Sequence, residues 1–189
     1  MFKNLIGLIL IFFMAYSSTN IQESNNVIRQ NIENKILWSY ERKLTWNDFK
    51  GLPKTDRGNI EAETQCEISI LEVKLDGSLP KISIGTFFLK SKSWTATNSM
   101  STLEHEQIHF DIYELYSRKI RNKFEELNMK NELKIEIYQK YYNELVSEAI
   151  KLNEVYDNEV YFNDDKQQEW IKRITKELDV LKEYELVED

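Results

Sequence analysis

Alternating apolar and polar positions form the first region of regular pattern, between residues 61 and 75. The alternation changes phase at Ile70–Leu71, which indicates a bulge or a break in a β-strand that has one buried face. A turn sequence at 76–80 and a second alternating stretch ending near Phe88 predict an antiparallel hairpin. The segment from Ile36 to Tyr40 predicts a further strand.

In the second half of the chain the spacing of apolar residues becomes that of a helix. The first helix is predicted from about Thr102 to Leu127, with Ser101 and Glu104 forming a capping box at its start. A second helix is predicted over about 133–153 and a third from about residue 164. The expected stripes are Tyr138, Tyr141, Leu145, Ala149 and Leu152, then Ile171, Ile174, Leu178 and Leu181. A small antiparallel sheet followed by three helices predicts an α+β fold.

The N-terminal segment has the organisation of a secretory signal peptide. Lys3 is its only charge, an apolar run follows over Leu5–Ala15, and small polar residues come next. This run is well short of the roughly twenty residues that span a bilayer. We therefore expect residues 1–17 to be removed and residues 18–189 to form a single domain without stable membrane insertion. The alternative is an uncleaved membrane anchor.

Composition narrows the expected partners. The 189-residue chain carries a net charge of −7, and loss of residues 1–17 removes Lys3 and no acid, which leaves −8. An acidic chain of this kind argues against a nucleic-acid partner. The single cysteine, Cys66, has no internal partner for a disulfide and is expected to act as a small buried hydrophobic residue. The expected location is secreted or periplasmic.

Both histidines of the chain lie in one short motif, His105-Glu106-Gln107-Ile108-His109. Helix positions four apart share a face, so both imidazoles can reach one metal ion. Zinc in such a site lowers the pKa of a bound water towards 7, and the adjacent Glu106 is the expected general base. The alternative is that all three are ordinary residues of an amphipathic helix.

The third metal ligand is less evident, because catalytic zinc usually has three protein ligands and no histidine remains. A carboxylate must supply it, or the site is incomplete.

Among the candidate carboxylates, Asp111 points well round the helix from both imidazoles, so it could bond to a metal ligand but could not itself be one. Glu144 and Glu148 could face the site, although a solvated helix face explains them better. The segment 156–159 is expected to join the second and third helices and could fold back over the first. Asp164 and Asp165 are better explained as helix N-caps.

Four further side chains could have a role at such a site. Arg118 could steady an oxyanion, but it follows Glu114 by four residues, and a favourable pair on the helix surface explains it better. Trp46 and Trp94 could line a substrate cleft, although packing around a core is commoner for tryptophans. Tyr156 could donate a hydrogen bond to an oxyanion.

Several segments of the chain, in the order in which they occur, resemble segments of the bacterial domain of unknown function 922 family. Members of this family are described as predicted secreted zinc-dependent proteases. The central matching segment is LEHEQIHFDI over 103–112, and Arg118 stands at the family's arginine position. The other matching segments are LTWNDFKG over 44–51, Thr64, Ser93-Trp94, Tyr156-Asp157 and QQEW over 167–170. The resemblance spans roughly 38–178. It implies an exported protein with a zinc site.

The resemblance also suggests where the third ligand lies. In the family pattern a histidine follows the Tyr-Asp pair, and here Phe162 stands at about that position. We therefore take Asp157, from the matched pair, as the candidate third ligand, with Glu159 as the alternative. The predicted function is an exported zinc-dependent metallopeptidase that acts on a peptide or protein substrate. One alternative is a degenerate, catalytically inactive relative that serves as a binding or scaffold protein. Another is a structural zinc or a hydrolase of non-peptide substrates.

Overall fold

The computed structural model of the protein describes residues 33–54, 60–161 and 163–186. The predicted signal peptide over 1–17 and Phe162 lie outside the described residues. From Ile36 onward the described residues belong to one compact unit. The order of elements is a small sheet followed by three helices, which confirms the predicted α+β class.

The described residues of the sheet region form five strands. They are β1 (Lys35–Leu37), β2 (Ala62–Glu63), β3 (Cys66–Lys74), β4 (Lys81–Leu89) and β5 (Trp94–Thr95). β3 and β4 form the predicted antiparallel hairpin, and their register shifts between Ile70 and Glu72, where the hydrophobic pattern changes phase. β4 is central in the order β1-β4-β3, and β2 pairs with β5 in a separate two-stranded sheet. The pairing of β2 with β5 was not predicted, because two-residue strands carry no periodicity.

The three helices are α1 (Met100–Met129), α2 (Ile135–Val160) and α3 (Asp164–Val180), and short 3-10 helices lie at Trp46–Asp48 and Lys182–Tyr184. The predicted capping box at Ser101 is wrong, since the N-cap of α1 is Ser99, whose side chain accepts from Thr102 N. The N-cap of α3 is Asn163, which accepts a bond from Lys166 N. Asp164 and Asp165 therefore lie in the first turn, where the helix dipole favours negative charge, rather than at the cap.

The second helix extends to Val160, about two turns beyond its predicted end. The segment 156–159, predicted as a connection, is therefore helical. The physical reason is burial: Ala149, Asn153, Tyr156 and Val160 are all buried, and their spacing of three or four residues carries the inward face of α2 to its end.

α1 lies at the centre of the packing and contacts the sheet and both other helices. Its inward side contributes fully buried residues, among them Phe110, Ile112, Leu115 and Ile120. The predicted stripes of α2 and α3 pack against this core. Trp94 is buried and donates to Glu63, and Trp46 packs on Phe49, so both tryptophans have the packing role that was expected. Cys66 is free and packs partly buried against the core.

Charged side chains of the C-terminal half of α1 meet one residue near the end of the described chain in a set that we call the ion network: Glu114, Arg118, Arg121 and Glu185. Glu114 and Arg118 are buried, and Arg121 and Glu185 are partly buried. Arg118 donates to Glu114 Oε1 at 3.0 Å and to Leu178 O at 2.9 Å, and it lies 3.0 Å from Glu185 Oε2. The predicted partner of Arg118 is confirmed, but its predicted place on the surface is wrong, because Arg118 is only 2% exposed. Arg118 ties α1 to the chain at and beyond the end of α3 and is not available to an oxyanion.

Candidate metal centre

The two histidines lie on one face of α1, one turn apart, as their spacing predicts. The Nε2 atoms of His105 and His109 are 3.1 Å apart, so the two rings converge on one point. Their side chains are 23% and 13% exposed, respectively. Such partial burial keeps the imidazoles ordered and still leaves them accessible.

Asp157 reaches the same point from α2. Its Oδ1 lies 3.2 Å from His105 Nε2 and 3.0 Å from His109 Nε2. Asp157 can reach this point because α2 continues past residue 153. It follows the buried Asn153 by one turn, so the two side chains lie on the same side of α2. The Asp157 side chain is 55% exposed, so this side of the site faces solvent.

His105, His109 and Asp157, which we call the ligand cluster, could hold a metal ion. The distances among their three ligand atoms run from 3.0 to 3.2 Å. Ligand atoms about 2.0–2.2 Å from a tetrahedral zinc lie about 3.3–3.6 Å from one another. The cluster therefore fits one face of a zinc tetrahedron after shifts of a few tenths of an ångström. Two imidazoles with one carboxylate, and a fourth position left open, are a ligand set typical of catalytic zinc.

The other ring nitrogen of His109 is also occupied. His109 Nδ1 lies 2.7 Å from Oδ1 of Asn153, which is buried on α2. Histidines that bind metals usually bond through their second nitrogen to an oxygen of the surrounding protein. Asn153 was not predicted as a site residue. Its spacing of four from Asp157 indicates a shared helix face only if the helix continues past residue 153.

Tyr156 forms the floor of the site. Its ring stacks on His105 with centroids 4.8 Å apart, meets His109 edge to face at 5.2 Å, and packs against Trp170 at 5.3 Å. The residue is fully buried, and burial raises the pKa of its hydroxyl. Its hydroxyl lies 3.5 Å from the backbone oxygen of His105. These contacts give Tyr156 a packing role rather than the place of an oxyanion donor.

Glu106 is buried beside the ligand cluster, with 3% of its surface exposed. Its Oε2 has no hydrogen-bond partner among the described residues. The charge of Glu106 contributes to raised pKa values at His109, Tyr156 and Cys66, so it acts electrostatically both on residues of the site and on the sheet. A buried carboxylate oxygen without a partner is costly and needs an explanation.

The pKa values of His109 and Asp157 reflect the short distances within the ligand cluster. Burial alone would lower the pKa of His109, but its hydrogen bond to Asp157 and the charges of Asp157 and Glu106 raise the pKa to about 9. Burial would raise the pKa of Asp157, yet the bonds from both imidazoles hold that pKa far below its usual range. A metal ion would take the place of the proton that these groups share, so binding should release protons.

The remaining candidate carboxylates lie elsewhere. Glu159 accepts a bond from Trp170 Nε1 at 2.9 Å. Asp111 accepts from Trp38 at 2.7 Å and from Gln107 at 2.8 Å, and Glu144 and Glu148 are exposed on α2. In the described part of the chain, Asp157 is the carboxylate grouped with the two histidines.

A comparison with known protein families, curated proteins and solved structures returned no match for this chain. The resemblance to the domain of unknown function 922 family therefore stays a prediction.

Proposed function

We propose that this protein is a zinc-dependent hydrolase of the metallopeptidase type. His105, His109 and Asp157 would hold the ion, and Glu106 would be the general base. Zinc, when bound, supplies a Lewis acid that makes water a nucleophile near neutral pH. Asp157 replaces the histidine that the resembled family carries after its Tyr-Asp pair.

The chain's own groups then have distinct tasks. Glu106 accepts a proton from the attacking water and passes it to the leaving amine, which a carboxylate can do without moving far. Its burial removes competing solvent and strengthens its interaction with a reacting proton. Tyr156 supports the His105 ring from below, and the exposed side of Asp157 leaves an approach for a substrate.

One observation carries the proposal: three ligand atoms converge next to Glu106, a buried carboxylate with one oxygen that finds no partner in the described part of the chain. A solvated helix face would not bury Glu106, and a purely structural metal site would not need a base next to it. The inactive binding or scaffold protein would likewise have no use for Glu106. The substrate class, a peptide or protein, comes from the family resemblance and not from the shape of the site.

The test replaces Glu106 with glutamine, which keeps the size of the side chain but cannot accept the proton. We expect Glu106→Gln to retain about one zinc per chain and to lose a factor of about 100–10,000 in the rate of casein or peptide-library cleavage. Zinc content is measured by elemental analysis, and cleavage by mass spectrometry.

Glu104→Gln is the matched control, because Glu104 is exposed on the same helix two residues earlier. It should cleave at the parental rate. A Glu106→Gln protein as active as the parent contradicts the proposal. A parent that binds zinc but cleaves no peptide would favour a structural zinc or a non-peptide hydrolase.

We further propose that the protein acts outside the cytoplasm, in a secreted or periplasmic location. The support is the composition of residues 1–17. Across the described residues no helix is both long and apolar enough to cross a bilayer. Mass spectrometry of the protein from its native host should find a chain that begins near Ser18. A mature chain that begins at Met1 would contradict export by this route.

A further inference from the structure

Asn153 contacts two partners from the inner face of α2, and only one of them belongs to its own helix. Its Nδ2 donates to Ala149 O, one turn earlier, at 2.8 Å. Its Oδ1 lies 2.7 Å from His109 Nδ1 across the interface with α1. The residue is only 8% exposed, so both contacts are shielded from water.

The orientation of this amide determines where the His109 proton lies. A backbone carbonyl can only accept hydrogen bonds, so the Asn153 NH2 group must face Ala149 and its oxygen must face His109. His109 Nδ1 therefore donates its hydrogen to Asn153. In the neutral ring this leaves the lone pair on Nε2, the atom that faces His105 and Asp157.

We propose that Asn153 is a positioning residue of the metal site: it fixes the Nδ1–H form and the ring orientation of His109, so that Nε2 is presented to the ion. This inference rests on the proposed zinc site. A turn of α2 thus supplies both a ligand, Asp157, and the group that orients another ligand on α1. Metal binding then depends on how α2 packs on α1 as well as on the His-Glu-x-x-His motif itself.

A second asparagine on α2, Asn158, allows an experiment to distinguish the positioning role of Asn153 from ordinary stabilisation of the helix. Asn158 makes the same local contact as Asn153, with its Nδ2 donating to Glu154 O at 2.7 Å, but it is exposed. Asn158→Leu removes that local contact without affecting His109. It is therefore the matched control for Asn153→Leu.

The experiment measures zinc affinity by competition with a chromophoric chelator in the full mature chain, with zinc alone as the probe. Asn153→Leu keeps the branched shape and the number of heavy atoms of the side chain but offers no acceptor to Nδ1, and we expect its zinc affinity to fall about 10- to 100-fold. Asn153→Asp keeps an acceptor in the same place and should restore most of the affinity. Asn158→Leu should bind zinc as the parent does.

Long-range nitrogen–proton NMR of the zinc-loaded parent gives a second readout that does not depend on any variant folding. We expect His109 to carry its proton on Nδ1 and the metal on Nε2. Metal on Nδ1, or an Asn153→Leu protein with parental zinc affinity, overturns the positioning role while leaving the proposed function intact. A parent that binds no zinc overturns both, and the two failures are therefore distinguishable.

Discussion

Helix α1 carries two buried glutamates, Glu106 and Glu114, about two turns apart. They differ in the hydrogen bonds and charges that surround them. In the ion network, Glu114 Oε1 accepts from Arg118 at 3.0 Å and from Arg121 at 2.6 Å, and its Oε2 accepts from Thr86 at 2.8 Å. In the candidate metal centre, Glu106 Oε2 has no partner among the described residues. Both glutamates are nearly inaccessible, with 2% and 3% exposure, respectively.

Under the proposed function, this contrast distinguishes a structural charge, Glu114, from a catalytic one, Glu106. Burying a carboxylate costs free energy unless hydrogen bonds and opposite charge compensate it, and around Glu114 the protein provides both. Around Glu106 it provides three atoms that could bind a metal, and no described residue gives Oε2 of this carboxylate a hydrogen bond. Such a deficit is expected where a group must remain free to exchange a proton with a substrate or water.

The largest expected effect comes from breaking the ion network. Glu114→Gln removes the charge that faces both arginines, and Arg118 and Arg121 then remain buried with too little negative charge near them. We expect the free energy of unfolding of the metal-free protein to fall by about 3–5 kcal/mol, as for other buried pairs that lose one partner. Urea titration followed by circular dichroism measures it. A loss below about 1 kcal/mol would mean that the network is not structural.

A smaller effect of the opposite sign is expected for the identical substitution at the other glutamate. Glu106→Gln replaces a buried carboxylate, one oxygen of which has no partner among the described residues, by a neutral amide. Burial of the amide costs less, so the metal-free protein should gain about 1–2 kcal/mol of stability. The same urea titration tests it. If Glu106→Gln destabilised the protein as strongly as Glu114→Gln, the contrast between the two sites would be lost.

The sequence predicted the fold well where the pattern was long and regular. The phase change at Ile70–Leu71 became a register shift, and the three helices lie where the helical spacing begins. The two histidines were also placed on one helix face, because residues four apart in a helix lie one turn from each other.

The end of α2 could not be predicted, because the run from Asn153 to Asn158 is rich in residues with modest helix propensity. Tertiary packing determines where α2 ends. Tyr156 packs between His105 and Trp170, and these contacts favour continuation of the helix through Asp157. The burial of Arg118 was missed for a similar reason. A spacing of four from Glu114 shows that the two residues pair, but not which elements later cover the pair.

The central claim is that the ligand cluster binds one zinc ion and that Asp157 is its third protein ligand. The most direct measurement is the zinc stoichiometry and affinity of the parent, Asp157→Ala and Glu159→Ala proteins, each titrated with zinc against a competing chelator. We predict about one tightly bound zinc per chain in the parent and in Glu159→Ala, since Glu159 bonds to Trp170 instead. Asp157→Ala should bind more weakly by orders of magnitude, because it retains only two imidazoles. A parent without zinc, or equal affinity in all three proteins, would contradict the claim.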